Sequence, residues 1–357
     1  MTSIERVENI FNFDKVDCVP IGEDFWEDTV KKWSNEGHLG VEESLVEHFE
    51  LDLDRSGLIN WYLDPSFKFE TIEEDEDTQI ILDGNWAKLR VHKKHASTPE
   101  HIDFAIKDRR IWLEYAKPRL IEVNLSRIPF DEYRDQRQMS MSKNRHFSLD
   151  AFGPFELMHR LCGHEILLLN MALDPEWVKD MVLTYVEFNI NHWDVLLERE
   201  GLPHSVWVAD DLGYKLKPFI SPAMFREILF PGYKRMFDYL HSKKLKVIFH
   251  SCGYIEPLIP GLIEAGIDCL EGIEVKSGMD LLKLAREYRD HIVFFGGIDI
   301  RTLESNNYNE VNVEVNKVKD LIKEGVRYIF HSDHSISPKV EYDTFKYYIQ
   351  KARQINV

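Results

Sequence analysis

Cysteine is scarce. The 357 residues hold four, Cys18, Cys162, Cys252 and Cys269, with no paired short spacing. No secretory signal is evident, so a disulfide framework is not expected and a reducing, cytoplasmic setting is. Long hydrophobic runs are missing as well. None approaches the ~20 apolar residues that a helical membrane span needs. Basic residues are outnumbered, 44 Lys and Arg against 62 Asp and Glu, for a formal net charge of -18. Such a surface repels phosphate backbones and anionic lipid, which argues against nucleic acid and membrane as partners. The acid is spread along the chain apart from one dense run, Glu73-Glu74-Asp75-Glu76-Asp77, read as solvated.

What is there is an alternation. Short apolar runs predict strands at 16–21 (despite Pro20), 51–53, 146–149, 206–209, 245–249, 269–273, 292–295 and 327–330. Between them, helices are predicted at 26–35, 41–49, 174–198, 221–243, 256–265, 279–288, 309–323 and 341–354, with a short one at 3–11 ahead of the first strand. Residues 60–140 break the pattern. Gln79–Leu82 and Ala87–His92, joined by Asp83-Gly84-Asn85, read as a β-hairpin, and Ser97-Thr98-Pro99-Glu100 reads as a helix start. This stretch is taken as an insertion or lid-like region within one domain spanning 1–357.

Strands alternating with helices imply a parallel sheet, and seven or eight such units favour an α/β (β/α)8 barrel of TIM type. The first strand is followed by Gly22-Glu23-Asp24, too acidic for the phosphate-binding turn of an open doubly wound sheet. Glu23, Asp24, Asp150, Asp210, Asp211, His250, Cys252, Glu274, Asp299, Asp333 and His334 all follow predicted strands. In a barrel those ends share one face, where active sites are built.

The most informative stretch is Leu245 to Gly253, an apolar strand ending in His250-Ser251-Cys252-Gly253. An imidazole and a thiol two residues apart can converge on one metal ion, and zinc accepts both at about 2.0–2.3 Å. The plainer alternative is a buried histidine and an inert cysteine. Glu274 and Asp333 are further candidates, as ligands or as orienters of ligand histidines. Asp210 and Asp211 can position a substrate or act as general base, or cap the turn before Gly213. Glu23 and Asp24 either line the mouth or are solvated. Asp299 reads as a helix cap, His331 as structural, and Cys162 as a buried thiol.

Seven short pieces, in order, resemble the uroporphyrinogen decarboxylase superfamily over nearly the whole chain. They are Arg6-Val7 with Asp17-Cys18-Val19-Pro20, Gly153-Pro154-Phe155-Glu156, Asp210-Asp211-Leu212-Gly213, Ile220-Ser221-Pro222, His250-Ser251-Cys252-Gly253, Gly266-Ile267-Asp268 and Gly296-Gly297-Ile298-Asp299. The resemblance implies a (β/α)8 barrel. Two departures choose the branch. Where true uroporphyrinogen decarboxylases carry an Arg-rich stretch that grips substrate carboxylates, this chain has Gly22-Glu23-Asp24-Phe25-Trp26-Glu27-Asp28, without Arg. A polycarboxylate tetrapyrrole needs cations there. The cobalamin-dependent methyltransferases of the superfamily hold zinc with an H-x-C pair and a later Cys near the last strand. Here His334 stands in the place of that Cys.

The resemblance therefore implies a zinc-dependent methyltransferase. It would move a methyl group between a small substrate (a methoxy compound, a thiol or a folate) and a corrinoid. His250, Cys252 and His334 are the expected ligands, with Glu274 as a further candidate, and Asp210, Asp211 and Glu23 the expected catalytic residues. The chain lacks an Asp-x-His-x-x-Gly signature, so the cobalamin is expected on a partner corrinoid protein. The alternatives are a decarboxylase of porphyrin biosynthesis and a non-catalytic module that binds a corrinoid protein.

Overall fold

In the computed structural model, which describes residues 1–40, 43–94 and 98–355, the apolar runs become one curled parallel sheet. Its strands are β1 (Leu53–Ser56), β2 (His146–Phe152), β3 (Ser205–Ala209), β4 (Lys246–Ser251), β5 (Cys269–Gly272), β6 (Val293–Gly296) and β7 (Tyr328–Ile329), hydrogen-bonded in chain order. β5 and β6 are buried at every position, as befits parallel strands covered on both faces.

The eighth place is filled irregularly. Phe330 N donates to Pro20 O (2.8 Å), Gly22 N to Phe330 O (3.0 Å) and Asp52 N to Ile21 O (2.7 Å), so residues 20–22 join the end of β7 to the start of β1 and close the barrel. The strand predicted at 16–21 is reduced to a single bridge at Ile21. Pro20 has no N–H to give a ladder, and the Ile21 N–H is taken by Asp52 Oδ2 at 2.8 Å. The strand predicted at 51–53 starts at Leu53 instead.

The lumen is packed by Trp207, Ile248, Cys269, Val293, Phe295 and Ile329, and Val7, Ile10 and Phe11 of the helix Ser3–Phe11 join that cluster. Ile4 N bonds Asn144 O, just ahead of β2, so this helix stoppers the strand N-terminal end. The opposite face is left to the site. No helix among the described residues is long and apolar enough to cross a membrane.

The inserted stretch is an antiparallel sheet of Glu70–Glu74, Thr78–Leu82, Lys88–His92 and Glu100–Asp103 in that order. The hairpin forms as expected. The helix expected after Pro99 does not: Glu100–Asp103 is an edge strand paired with Lys88–His92, and Pro99 precedes it where no ladder N–H is required. Ser97 lies outside the described residues. The helix predicted at 41–49 shortens to Leu45–His48, with 41–42 again outside the described residues. Helix Phe130–Ser142 packs on β1 and β2, so it belongs to the barrel rather than to the insertion.

Candidate metal centre

β4 delivers His250 and Ser251 to the open face, and the chain then turns at Gly253, whose φ of 79° favours glycine. Gly253 packs directly on the backbone of Gly213; a Cβ on either residue would collide with the other. That contact presses the loop after β3 against the loop after β4. Cys252 N donates to Asp211 Oδ1 at 2.8 Å. His250 Nε2 lies 3.5 Å from Asp211 Oδ1 and 3.5 Å from Cys252 Sγ. Among the described residues, Asp211, His250 and Cys252 are the group whose ligand atoms all fall within 4.8 Å of one another.

These distances suit an ion. With bonds of about 2.0–2.3 Å, neighbouring ligands of a tetrahedral zinc stand about 3.3–3.7 Å apart. The far nitrogen of the imidazole is also committed. His250 Nδ1 hydrogen-bonds Glu271 Oε2 on β5, and Glu271 is buried. A carboxylate on Nδ1 holds the proton there and turns the Nε2 lone pair toward Cys252 and Asp211. By itself Cys252 keeps its proton. Burial raises the Cys252 thiol pKa against the opposing pull of His250. Ion binding at these residues would release protons.

The other expected site residues fall around this trio. His334 stacks on Trp26, ring centroids 6.0 Å apart, and stands outside the group. Glu274 is outside it too: Oε2 accepts from Gly253 N at 2.6 Å and Oε1 from Lys276 Nζ at 2.9 Å, bracing the turn that carries Cys252. Asp333 accepts from Val275 N (2.8 Å) and Ile300 N (2.9 Å), and burial pushes its pKa up to about 6. Asp210 points away from the mouth. Fully buried, it accepts from Phe155 N and Glu156 N at the start of helix Pro154–Leu173 and from the Tyr233 hydroxyl on helix Phe230–Ser242. Glycine is required at Gly153 because a Cβ would meet that carboxylate. Glu23 is buried, accepting from Ser332 N (2.9 Å), Ser332 Oγ (2.8 Å) and the Tyr348 hydroxyl (2.8 Å). Burial pushes its pKa up to about 7, with His331 opposing. Asp299 caps its helix through Arg301 N, and the Cys162 thiol donates to Met158 O inside the core.

Sequence reasoning missed Glu271 and Arg55. A glutamate inside an otherwise apolar strand was the available signal for the first. Arg55 corrects the expectation of a mouth without a cation. It reaches in from β1, 2.8 Å from Asp24 and 3.4 Å from Asp150, with its guanidinium 4.5 Å above the Trp207 ring. Both carboxylates already hold it. Asp24, Arg55, Asp150 and Trp207, together with Phe152 and His250, line a cavity of about 350 Å³ beside the trio.

Residues 150–355 match the family model described as Uroporphyrinogen decarboxylase (URO-D). Among solved structures, a methyltransferase from Methanosarcina mazei shares the fold over 99% of this chain and 98% of its own, with a TM-score of 0.66 at 14% identity. A crystal structure of a Xaa-Pro dipeptidase with bound methionine in the active site, also 14% identical, covers 51% of this chain and 46% of its own with a TM-score of 0.27, too low to bear on the fold. No curated protein matches the sequence.

Proposed function

The chain belongs to the uroporphyrinogen decarboxylase family, and from that premise we propose that it is a zinc-dependent methyltransferase. It would pass a methyl group between a small substrate and a corrinoid carried on a partner protein. The observation that carries this reading is the convergence of Asp211, His250 and Cys252 at the barrel mouth, with His250 oriented by the buried Glu271. One nitrogen, one sulfur and one oxygen donor with a further position open is a donor set of the catalytic zinc kind.

In this reading His250 binds through Nε2, Cys252 as thiolate, and Asp211 through the oxygen that also receives the Cys252 N–H. Asp211 thus takes the third place that the resemblance assigns to His334. His334, close enough to His250 and Glu274 to feel their charge, is the candidate for the remaining position or for substrate contact. Glu274 serves by holding Gly253. Bound zinc would supply Lewis acidity, activating a thiol or hydroxyl or polarising a methoxy oxygen. The cavity of about 350 Å³ beside the trio is of small-molecule size. A corrinoid exceeds it and would approach from outside, which supports its delivery on another chain. Decarboxylation of a porphyrinogen finds the Arg55 guanidinium already held by Asp24 and Asp150, and Lys276 by Glu274.

The test is direct. Protein loaded with zinc is mixed anaerobically with free methylcobalamin and candidate thiols, or with reduced cobalamin and methoxy compounds, and the cobalamin spectrum is followed. Transfer that requires zinc and is lost in Cys252→Ala supports the reading. Transfer unaffected by chelation and by Cys252→Ala contradicts it.

A further inference from the structure

The loop after β3 carries a hairpin outside the metal centre. Gly213–Tyr214 pairs antiparallel with Lys217–Pro218, with Lys215 and Leu216 at the tip. The hairpin rests on the two loops that bear Asp211 and Cys252. Gly213 packs on Gly253, and Tyr254 N donates to Tyr214 O at 3.0 Å. Phe219 N donates back to Leu212 O at 2.8 Å, and the Tyr214 and Phe219 rings lie 5.6 Å apart. These contacts fix the tip at the rim of the mouth.

The tip is apolar, basic and exposed. Leu216 is 69% exposed and Tyr214 56%. Lys215 and Lys217 are exposed too, and neither has an acidic partner among the described residues. Lys215 Nζ stands 5.7 Å from the centroid of the Tyr214 ring. On a chain of net charge -18, this knob reverses the sign of the surface locally.

The knob borders an apolar groove. A Cβ on Gly278 would lie 3.4 Å from Leu216 Cδ2, and Gly278 also lines a cavity of about 290 Å³ with Val275, Met279, Leu281, Leu282 and Val318. The charged groups around the groove already have partners. Lys317 pairs with Glu314, Lys276 with Glu274, and Asp280 caps helix Leu281–Tyr288 through Lys283 N. The free charge of knob and groove together is that of Lys215 and Lys217. One exposed leucine needs no explanation, but an apolar strip edged by unpaired charge has the make-up of a protein contact. A membrane or a nucleic acid would meet the acidic remainder of the surface. A folded protein with a limited footprint meets the knob alone.

We propose that the hairpin and the groove beside it dock the corrinoid-carrying partner, which presents an apolar side chain to the groove and carboxylates to Lys215 and Lys217. The identity of that partner rests on the function proposed above. A protein seated here lies against the loops of Asp211 and Cys252, at the face a corrinoid has to reach. Complementary charge would speed its arrival and set its orientation.

The experiment immobilises the full chain and passes over it an anaerobic lysate of the source cells, with retained corrinoid protein recognised by its own absorption spectrum. The double variant Lys215→Glu, Lys217→Glu is expected to retain at least about tenfold less, through like-charge repulsion, with zinc content unchanged. Retention by the wild type is expected to weaken at about 1 M salt, where charges are screened beyond about 3 Å. In the wild-type complex, Lys215 and Lys217 are expected to be acetylated by acetic anhydride at least about tenfold more slowly than in the free chain. Lys244, exposed just ahead of β4 at the other end of the barrel, is expected to react equally in both. Equal retention by the double variant, equal acetylation of the two lysines in complex and free chain, or no retained corrinoid protein would each overturn the proposal. Protection of the two lysines in the chain alone would assign the surface to a second copy and overturn it as well. Transfer of methyl from free methylcobalamin without any retention would leave the proposed function standing and remove the docking surface. Retention through the two lysines by a chain that transfers no methyl would remove the function and leave the surface.

Discussion

His250 uses its two ring nitrogens for two tasks, and single atoms around it carry most of the chemistry. Nδ1 is held by Glu271 so that Nε2 faces Cys252 and Asp211. Glu271→Gln keeps the shape and removes the charge; zinc affinity, read by competition with a chelator, is expected to fall by about 10–100-fold. Asp210, one residue from Asp211 in sequence, has a different job. Asp210→Ala strands the Tyr233 hydroxyl and two helix N–H groups, and a loss of about 2–4 kcal/mol in urea unfolding is expected, with zinc bound per folded chain unchanged. The sequence made His250 and Cys252 legible because both sit at the end of one apolar strand. It made Asp211 visible as a mouth residue but not as a neighbour of theirs. That neighbourhood depends on the Gly213–Gly253 backbone contact between two loops, which no local pattern displays. Arg55 stayed hidden because its partners come from three different strand ends or segments.

Among the elements, the inserted sheet meets helix Pro154–Leu173 at a group of three imidazoles, one from the sheet and two from the helix. The His159 and His164 ring centroids are 4.2 Å apart, and His101, on the edge strand Glu100–Asp103, stands 5.9 Å from His159. Burial lowers the pKa of both His101 and His164 to about 4, while Glu156 and Arg160 flank the group. Both imidazoles stay neutral in the folded chain, whereas an unfolded histidine takes a proton near about 6.5. The unfolded state thus binds more protons between those values, so this contribution to stability is complete above pH ~6.5 and is lost as pH falls toward about 4. Glu23, raised to about 7, works in the opposite direction, losing stability as pH rises from its unfolded value. The difference between wild type and the pair His101→Asn, His164→Asn isolates the histidines. Unfolding free energy is expected to fall more steeply in the wild type between pH 6.5 and 4; parallel profiles would show that the imidazoles do not couple the insertion to the barrel. Elements at this scale were readable wherever a strand is buried on both faces. They were misread beside Pro20 and Pro99, where a missing N–H changes what the chain can pair with.

Taken whole, the molecule is a barrel stoppered by its N-terminal helix at one end and open, acidic and aromatic at the other. The ordered alternation of strands and helices made that architecture legible. The closing segment at 20–22 was not, because closure depends on pairing between residues more than 300 positions apart, such as Ile21 and Phe330. A mouth where Arg55 is already held between Asp24 and Asp150 is a poor grip for a polycarboxylate. Uroporphyrinogen incubated anaerobically with the protein is expected to yield no coproporphyrinogen at enzymatic rates; its steady appearance would return the chain to the decarboxylase side of its family.

The most direct measurement is the zinc content of the full chain, purified without chelator, beside its Asp211→Ala, Cys252→Ala and His334→Ala variants. About one zinc per chain is expected in the wild type, with loss in Asp211→Ala and Cys252→Ala and retention in His334→Ala. A wild-type chain without bound zinc after zinc supplementation, or zinc kept in Asp211→Ala and lost in His334→Ala, would contradict the centre described here.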